Sequence, residues 1–311
     1  MDENALRYVA NRGANVVSKR ARKGIVLAGG TGSRLFPITL GVSKQLLPVY
    51  DKPMIYYPIS VLMLAGMREI AIVTTPHDKA AFQRLLGSGE QWGVSFTYIT
   101  QASPDGIAQV FLLAEEFLDG APATLVLGDN LFYGHGIGEM MIRAAARKTG
   151  ATVFAHPVSD PRAYGVVAID ASGMATQIVE KPEIPPSNLA VTGLYVYDDR
   201  VVGHARTLKP SPRGELEITD LNRVYLEAGE LNVETLGRGF AWLDTGTPGD
   251  LLKAAHLIEV LQERQGLMIG CPEEIAYEQG FLTREGLLAA AKRLGKSPYG
   301  AYLVRVAEHG R

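Results

Sequence analysis

The stretch Lys23–Leu35 reads KGIVLAGGTGSRL, and the prediction of the fold starts from it. Its first half, Ile25–Ala28, is a short apolar run of the kind that forms a buried strand. The run then breaks into a loop that contains Gly29, Gly30 and Gly32. Glycine lets the backbone turn tightly and expose its N–H groups, and such groups form a concavity that suits anions. The stretch therefore predicts a buried strand that ends in an anion-binding loop.

Two cations, Arg34 and Lys44, follow the glycines. A glycine loop with cations beside it is what a polyphosphate requires. The alternative is an ordinary strand-to-helix turn with two solvated cations. Two well-known phosphate loops fit poorly, since no Lys follows the glycines as in Walker A, and Leu35 stands where a dinucleotide fingerprint needs its third glycine.

Composition limits the classes of protein that fit. The chain of 311 residues is long enough for one large α/β domain or two small ones, and its net charge of −2 gives no general basic field for nucleic acid. A single cysteine, Cys271, excludes an intrachain disulfide and fits the reducing cytoplasm. The longest apolar stretch, Met54–Met67, contains Pro58 and falls short of the about 20 residues that a membrane span needs. Residues 1–22 carry several cations without an apolar core, so we predict no secretory signal and either a disordered extension or a misplaced start codon.

The first half of the chain alternates predicted strands and helices. This alternation predicts an α/β fold with a Rossmann-like, mostly parallel sheet and helices on both faces. Ligands of such sheets bind at the carboxyl ends of the strands. The predicted helices are Met54–Met67, His77–Leu86 and Gly106–Leu118, and the predicted strands besides Ile25–Ala28 are Glu69–Thr74, Val94–Thr100 and Ala123–Leu127.

The pattern changes near residue 150, where strand-like runs follow one another with few helices between them. We predict that these strands and loops cover the open edge of the binding crevice and hold a second substrate. The predicted organisation is an extension (1–22), a catalytic domain (23–265) with a nucleotide-binding part (23–150) and a second-substrate part (151–247), and a C-terminal helical segment (266–311). The strand-like runs are Thr152–His156, Tyr164–Ile169, Ala175–Glu180 and Ala190–Tyr197, and the later helices are Leu216–Ala228, Pro248–Gln265, Pro272–Gln279 and Arg284–Leu294.

Two acids follow apolar runs. Asp129 comes directly after Thr124–Gly128, and Asp244 ends the run Trp242–Leu243 before Gly246. Magnesium prefers one or two carboxylates together with phosphate oxygens, so Asp129 is a candidate ligand. Either acid could instead cap the helix that follows it.

Gln101 begins the segment Gln101–Gly106, after another predicted strand. Its amide has both donor and acceptor groups and can read the imide edge of thymine or uracil, and Gly106 would let the backbone approach a base. A plain turn around Pro104–Gly106 is the alternative.

The run Gly29–Leu35, with Pro37, Thr39, Lys44 and Leu47–Pro48, resembles the signature of the sugar-1-phosphate nucleotidylyltransferases. The likeness extends from about Lys23 to near the C-terminus. The family usually has Thr where this chain has Ser33, which keeps the hydroxyl group.

The resemblance implies Mg²⁺-dependent transfer of dTMP from dTTP to glucose 1-phosphate, which yields dTDP-glucose and pyrophosphate for deoxysugar synthesis. It implies that Asp129 and Asp244 share the magnesium ion. It also implies a homotetramer that dTDP-rhamnose inhibits by feedback. The catalytic residues are then Arg34, Lys44, Asp129, Lys181 and Asp244; the nucleotide-binding residues are Leu27, Gly29, Gly30, Thr31, Gly32, Ser33, Arg34, Gln45, Gln101, Pro104, Gly106 and Asp129; and the sugar-phosphate-binding residues are Tyr164, Gly165, Glu180, Lys181, Val191, Tyr195 and Arg213.

Three alternatives stay open. The same chemistry could use UTP, because a pocket distinguishes one methyl group by only about 1–3 kcal/mol. An NAD-dependent epimerase would need the third glycine of the dinucleotide fingerprint and a Tyr-x-x-x-Lys pair, and the sequence has neither. A catalytically silent regulatory homologue would not need the set Arg34, Lys44, Asp129, Lys181 and Asp244.

Overall fold

The structure, a computed structural model, describes residues 20–310. Most of the predicted N-terminal extension, residues 1–19, and Arg311 therefore lie outside the described residues. Arg22, which the sequence assigns to the extension, contacts the fold: its Nη1 donates to the carbonyl oxygen of Ala123 at 2.7 Å and to that of Tyr197 at 2.5 Å.

Strands and helices alternate along the first half of the chain. The strands are β1 (Lys23–Ala28), β2 (Pro48–Val49), β3 (Lys52–Pro53), β4 (Glu69–Thr74), β5 (Ser95–Thr100), β6 (Ala123–Leu127), β7 (Asn130–Tyr133), β8 (Ala151–Pro157), β9 (Gly165–Ile169), β10 (Ala175–Glu180), β11 (Leu189–Tyr197), β12 (Leu231–Thr235) and β13 (Ala241–Asp244). The helices are α1 (Tyr56–Leu64), α2 (Lys79–Leu86), α3 (Gln109–Leu113), α4 (Glu115–Leu118), α5 (Ile137–Ala145), α6 (Val201–Thr207), α7 (Ile218–Glu227), α8 (Pro248–Gln265), α9 (Pro272–Glu278), α10 (Arg284–Leu294) and α11 (Pro298–His309).

Within residues 20–310, nine strands form one sheet in the order β10-β9-β11-β6-β1-β4-β5, with β8 beside β11 and β12 beside β8. The block β6-β1-β4-β5 is parallel, and Ile25 of β1 lies level with Ala71 of β4 and Leu125 of β6. The next strand, β11, runs antiparallel to β6. The strands after residue 150 thus continue the same sheet, so their loops extend the edge at which the parallel strands end.

Alternate side chains of the central strands serve two cores. Val26 points to a core that α1, α2, α5 and α9 complete. Its neighbour Ile25 points to the other face, where α3, α4, α6 and α7 pack. Both residues are fully buried, as expected for a strand covered on both faces. The predicted α/β class with helices on both faces is therefore confirmed.

Two predicted helices are shorter than expected: Met54–Met67 is helical only over Tyr56–Leu64, and the second is divided in two. The sequence predicts a helix over Gly106–Leu118, but the chain forms α3 and α4 with a break at Ala114. Gly106 has a φ of 106°, and a Cβ there would lie 2.3 Å from the carbonyl oxygen of Leu216. The backbone of Gly106 packs against that of Leu216 in a conformation that is not helical. The helix therefore begins only at Gln109.

The C-terminal helices form a smaller core of their own. Leu287 of α10 packs there with Leu303 and Val306 of α11 and with Cys271. Ile275 of α9 belongs instead to the core beneath α1, which joins the segment to the main sheet. Among residues 20–310, none of the helices combines the length and the hydropathy that crossing a bilayer requires.

Candidate active site

The glycine loop follows β1 and lines a cavity of about 250 Å³. Gly30 and Gly32 adopt φ values of 88° and 60°, in the left-handed region that favours glycine. The short turn Ser33–Leu35 follows directly and carries Arg34 at the exposed rim. The loop therefore has the backbone conformation that the sequence predicts for an anion-binding turn.

Lys44 provides a buried cation at the floor of this cavity. Its side chain is only 7% exposed, and its Nζ lies 2.6 Å from Oδ2 of Asp129. The second oxygen of that carboxylate, Oδ1, accepts a hydrogen bond from Nδ2 of Asn130 at 2.9 Å. Charge-assisted bonds of this kind are stronger than neutral ones, so both partners hold Asp129 in one orientation.

A two-stranded ribbon brings the second acid to the first. Strands β7 and β13 pair antiparallel, with Asp244 level with Asn130. The hydroxyl of Thr245 donates to the backbone oxygen of Asp129 at 3.0 Å and secures the junction. Residues more than a hundred positions apart in the chain thereby share one end of the crevice.

Asp244 lies in an unfavourable electrostatic environment. Burial raises the pKa of its carboxyl group, and the negative charge of Asp129 raises it further, whereas Lys44 and Arg34 partly oppose the shift. Both raising effects disfavour the charged form, which a nearby cation would stabilise.

These two carboxylates fit a magnesium ion. No group of three or more His, Cys, Asp or Glu side chains that could hold a metal occurs within residues 20–310. Magnesium does not need such a group, because it binds through one or two carboxylates and takes its remaining ligands from phosphates and water. Asp129 and Asp244 would hold the ion beside the glycine loop.

A larger cavity of about 510 Å³ opens on the other side of Asp129. Lys181 contributes to it from the end of β10, with a φ of 41°, which is uncommon for a residue other than glycine. Its neighbour Glu180 accepts a hydrogen bond from Oγ1 of Thr219 at 2.6 Å, which leaves the other oxygen near the Lys181 ammonium. Aromatic walls come from Tyr164 and Trp242, whose ring centres are 5.0 Å apart.

A third cavity, of about 240 Å³, lies against the glycine loop and the end of β5. Gln101 lines it and is 6% exposed. Its Oε1 lies towards Gly29, where a Cβ would approach to 2.9 Å. In the described part of the chain, Asp129 borders all three cavities, so they form one continuous crevice.

The structure brings nearly all the residues singled out by the sequence to this crevice. Arg213 is the exception, since it is absent from the described residues that line the cavities, and its guanidinium instead pairs with Glu217 at 2.8 Å. Tyr195 lines the large cavity and is also a buried core aromatic. The residues found in the crevice are Leu27, Gly29, Gly30, Thr31, Gly32, Ser33, Arg34, Lys44, Gln45, Gln101, Pro104, Gly106, Asp129, Tyr164, Gly165, Glu180, Lys181, Val191, Tyr195 and Asp244.

Sequence reasoning missed three residues that the geometry makes important, namely Asn130, Trp242 and Thr219. Asn130 is 3% exposed and its Oδ1 accepts hydrogen bonds from Nε1 of Trp242 at 2.6 Å and from the backbone of Gly193 at 3.0 Å. Thr219 fixes Glu180. The adjacency of Asn130 to Asp129 was the one signal available, because the contacts of Trp242 and Thr219 depend on pairing across the fold.

Comparison with known proteins identifies the family of the chain. Residues 23–260 match the nucleotidyl transferase family. A glucose-1-phosphate thymidylyltransferase from Xanthomonas campestris pv. campestris is 60% identical over 289 residues, which is 93% of this chain and 98% of the relative. The chain belongs to this family of nucleotidyltransferases. It is therefore an enzyme of the class that the sequence signature indicates.

Solved structures agree. A Bacillus anthracis protein with the proposed function of glucose-1-phosphate thymidylyltransferase, solved with a sucrose, matches with a TM-score of 0.71 and 42% identity over 76% of this chain and 95% of its own. A UDP-glucose pyrophosphorylase complexed with UDP-glucose matches with a TM-score of 0.67 and 25% identity over 78% of this chain and all of its own. Both solved structures support assigning the fold to this family.

Proposed function

We propose that this enzyme transfers dTMP from dTTP to glucose 1-phosphate and releases dTDP-glucose and pyrophosphate, with Mg²⁺ as cofactor. The observation that carries the proposal is the position of the Lys44–Asp129 pair: both residues line the glycine-loop cavity, and Asp129 also lines the other two cavities. A phosphate loop, a cavity for a base and a cavity for a hexose thus meet at one charged point.

The crevice supplies alignment and charge neutralisation. A phosphate oxygen of glucose 1-phosphate is already anionic at neutral pH, so its attack on the α-phosphorus of dTTP needs no general base. The new bond joins that oxygen to the α-phosphorus, and the bond to the bridging oxygen of the β-phosphate breaks. Pyrophosphate leaves towards the glycine loop, where Arg34 neutralises its charge.

Each cation then has a separate task. Lys44 lies beside the reacting phosphates and stabilises the charge that develops on them. Lys181 faces the large cavity and pairs with the phosphate of glucose 1-phosphate, while Glu180 accepts hydrogen bonds from sugar hydroxyls. Arg213 lies 3.7 Å from Oε1 of Glu180 but is paired with Glu217, so we assign it no direct contact with the phosphate.

Asp129 and Asp244 would hold the magnesium ion. When bound, the ion neutralises the phosphates and orients the α-phosphate for displacement.

The test is to incubate the purified enzyme with dTTP and glucose 1-phosphate and to follow both products. We expect dTDP-glucose and pyrophosphate in equal amounts when Mg²⁺ is present, and neither after chelation. Pyrophosphate without dTDP-glucose would indicate hydrolysis and would contradict the proposal.

UTP is a second candidate nucleotide, because the UDP-glucose pyrophosphorylase shares the fold. The same assay with UTP separates the two, since a dTTP enzyme should show the higher kcat/KM with dTTP.

We further propose that the enzyme works as a homotetramer in the cytoplasm and that dTDP-rhamnose inhibits it. These proposals rest on the family resemblance, and the cytoplasmic location also on the single, buried cysteine. Light scattering of the purified enzyme tests the oligomeric state, and rate measurements with added dTDP-rhamnose test the inhibition.

A further inference from the structure

A short chain of side-chain amides lies behind the cavity assigned to the base. Nε2 of Gln101 donates to the carbonyl oxygen of Gly106 at 3.3 Å and to Oε1 of Gln109 at 2.7 Å. A primary amide has only two N–H groups, so both are used by the protein. Oε1, on the Gly29 side, is the group left for a ligand in the cavity.

The orientation of Gln109 decides the stronger of these two bonds. An amide can rotate by 180° and exchange its donor and acceptor, so its neighbours set its direction. Nε2 of Gln109 donates to Oδ2 of Asp105 at 2.8 Å. An ionised carboxylate can only accept, so Asp105 obliges Gln109 to turn its Oε1 towards Gln101.

Asp105 is held in turn by its own loop. Oγ of Ser103 donates to Oδ2 of Asp105 at 2.5 Å. The backbone oxygen of Asp105 accepts from the amide of Leu216 at 2.8 Å, and the oxygen of Leu216 accepts from the amide of Ala108 at 3.1 Å. The carboxylate therefore sits on a loop that is fixed to the segment preceding α7.

The direction of the Gln101 amide has a chemical consequence for bases. Thymine and uracil carry an N–H at ring position 3, which can donate to Oε1. Cytosine carries an unprotonated nitrogen there, and two acceptors facing each other form no bond and leave both unpaired.

We propose that Asp105 and Gln109 are positioning residues that hold the Gln101 amide with its oxygen towards the base, and so exclude cytosine nucleotides. This inference rests on the proposed use of dTTP. The hydrogen-bonded series Asp105–Gln109–Gln101 then selects bases that carry a proton on the nitrogen at ring position 3. It does not distinguish thymine from uracil, since both carry that proton.

The test compares the dissociation constants of dTTP and dCTP, titrated in the absence of sugar phosphate. Gln109→Met keeps the length of the side chain but removes both bonds, and should lower the preference for dTTP about tenfold. Gln109→Lys can pair with Asp105 but presents only N–H groups to Gln101. It should therefore turn the Gln101 amide round and shift the preference further towards dCTP.

A matched variant keeps the donor-to-acceptor direction of these hydrogen bonds while it exchanges the carboxylate and the amide between positions 105 and 109. In the double variant Asp105→Asn and Gln109→Glu, the new asparagine donates and the new glutamate accepts, so Gln101 still donates its Nε2. This variant should keep the preference of the wild type.

Loss of affinity for both nucleotides by the same factor in Gln109→Met and Gln109→Lys, with an unchanged ratio, would overturn the proposal. Loss of the preference in the double variant would overturn it as well. A wild-type enzyme that makes no dTDP-glucose would instead contradict the proposed function, while the ratio of dissociation constants still tests Asp105 and Gln109.

Discussion

The carboxylate of Asp244 is less stable in the folded protein than in water, because burial and the charge of Asp129 raise its pKa above the ordinary value of 3.8. A group whose pKa rises on folding favours the folded state below its unfolded pKa. That contribution is lost as the pH rises through the folded pKa. Without magnesium, Asp244 should therefore reduce stability at neutral pH.

We predict that Asp244→Asn raises the free energy of unfolding of the metal-free enzyme at neutral pH. The gain in free energy of unfolding should shrink as the pH falls towards the ordinary pKa of the carboxyl group, because Asp244 of the wild type then becomes protonated and uncharged like the asparagine. Urea unfolding over a series of pH values measures this gain.

Asp129→Asn is the matched control, because it leaves the buried ammonium of Lys44 without its partner and should lower the free energy of unfolding by up to about 3 kcal/mol. A loss of stability in both variants would contradict this account of Asp244.

Both substitutions should nevertheless abolish most of the activity. Each removes one formal charge from the magnesium site, and we expect kcat to fall roughly a hundredfold or more, since a bound metal contributes several kcal/mol. Initial rates over a wide range of Mg²⁺ concentration measure the effect. If either variant reached the wild-type rate at saturating Mg²⁺, its residue would not be a metal ligand.

At the scale of elements, the β7–β13 ribbon holds the two acids together, and Asn130 is its fastening point. Its side chain bonds Asp129, Trp242 and the backbone of β11 at Gly193. A Cβ on Gly193 would come within 2.7 Å of Asn130, so β11 can approach this closely only with glycine there.

We predict that Asn130→Ala lowers the free energy of unfolding by about 1–3 kcal/mol, because the partly buried N–H of Trp242 and the buried N–H of Gly193 lose their acceptor. It should also lower kcat, since Asp129 loses one of its two partners. Trp242→Phe is the comparison variant: it removes the indole N–H together with part of the ring, but leaves the bond from Asn130 to Asp129 in place, so it should lower kcat less than Asn130→Ala does. Equal kcat values for Asn130→Ala and the wild type would show that the ribbon does not position Asp129.

The elements also show where sequence reasoning reaches its limit. The buried strand Ala123–Leu127 and the helix Pro248–Gln265 have the predicted bounds, because apolar runs, Pro248 and Gly266 are local signals. The strand β13 has only four residues and exists because it pairs with β7, which no local pattern records. In α5 the apolar residues do recur at helical spacing, but Gly134, Gly136 and Gly138 are turn and breaker signals, so the sequence predicts no helix there.

At the scale of the molecule, the sheet edge assembles the crevice from loops that follow β1, β5, β6 and β10. The rule that ligands bind at the carboxyl ends of parallel strands predicted this convergence for Gly29–Gly32, Gln101 and Asp129. It could not predict the surroundings of Arg213, whose charge is engaged by Glu217 and Glu215 on its own loop and lies near Glu180. Which of several neighbouring charges pair with one another depends on side-chain rotamers, and these cannot be read from the sequence.

The central claim is that the crevice holds the nucleotide on the glycine-loop side and the sugar phosphate on the Lys181 side. The most direct test is to titrate dTTP and glucose 1-phosphate separately in Lys181→Met and in Lys44→Met. Lys181→Met should weaken binding of glucose 1-phosphate about tenfold, the value of a charge-assisted contact, and should spare dTTP. Lys44→Met should lower kcat with both substrates saturating, because its charge matters most in the transition state. If Lys181→Met lost affinity for dTTP and kept that for glucose 1-phosphate, this arrangement of the two substrates would be wrong.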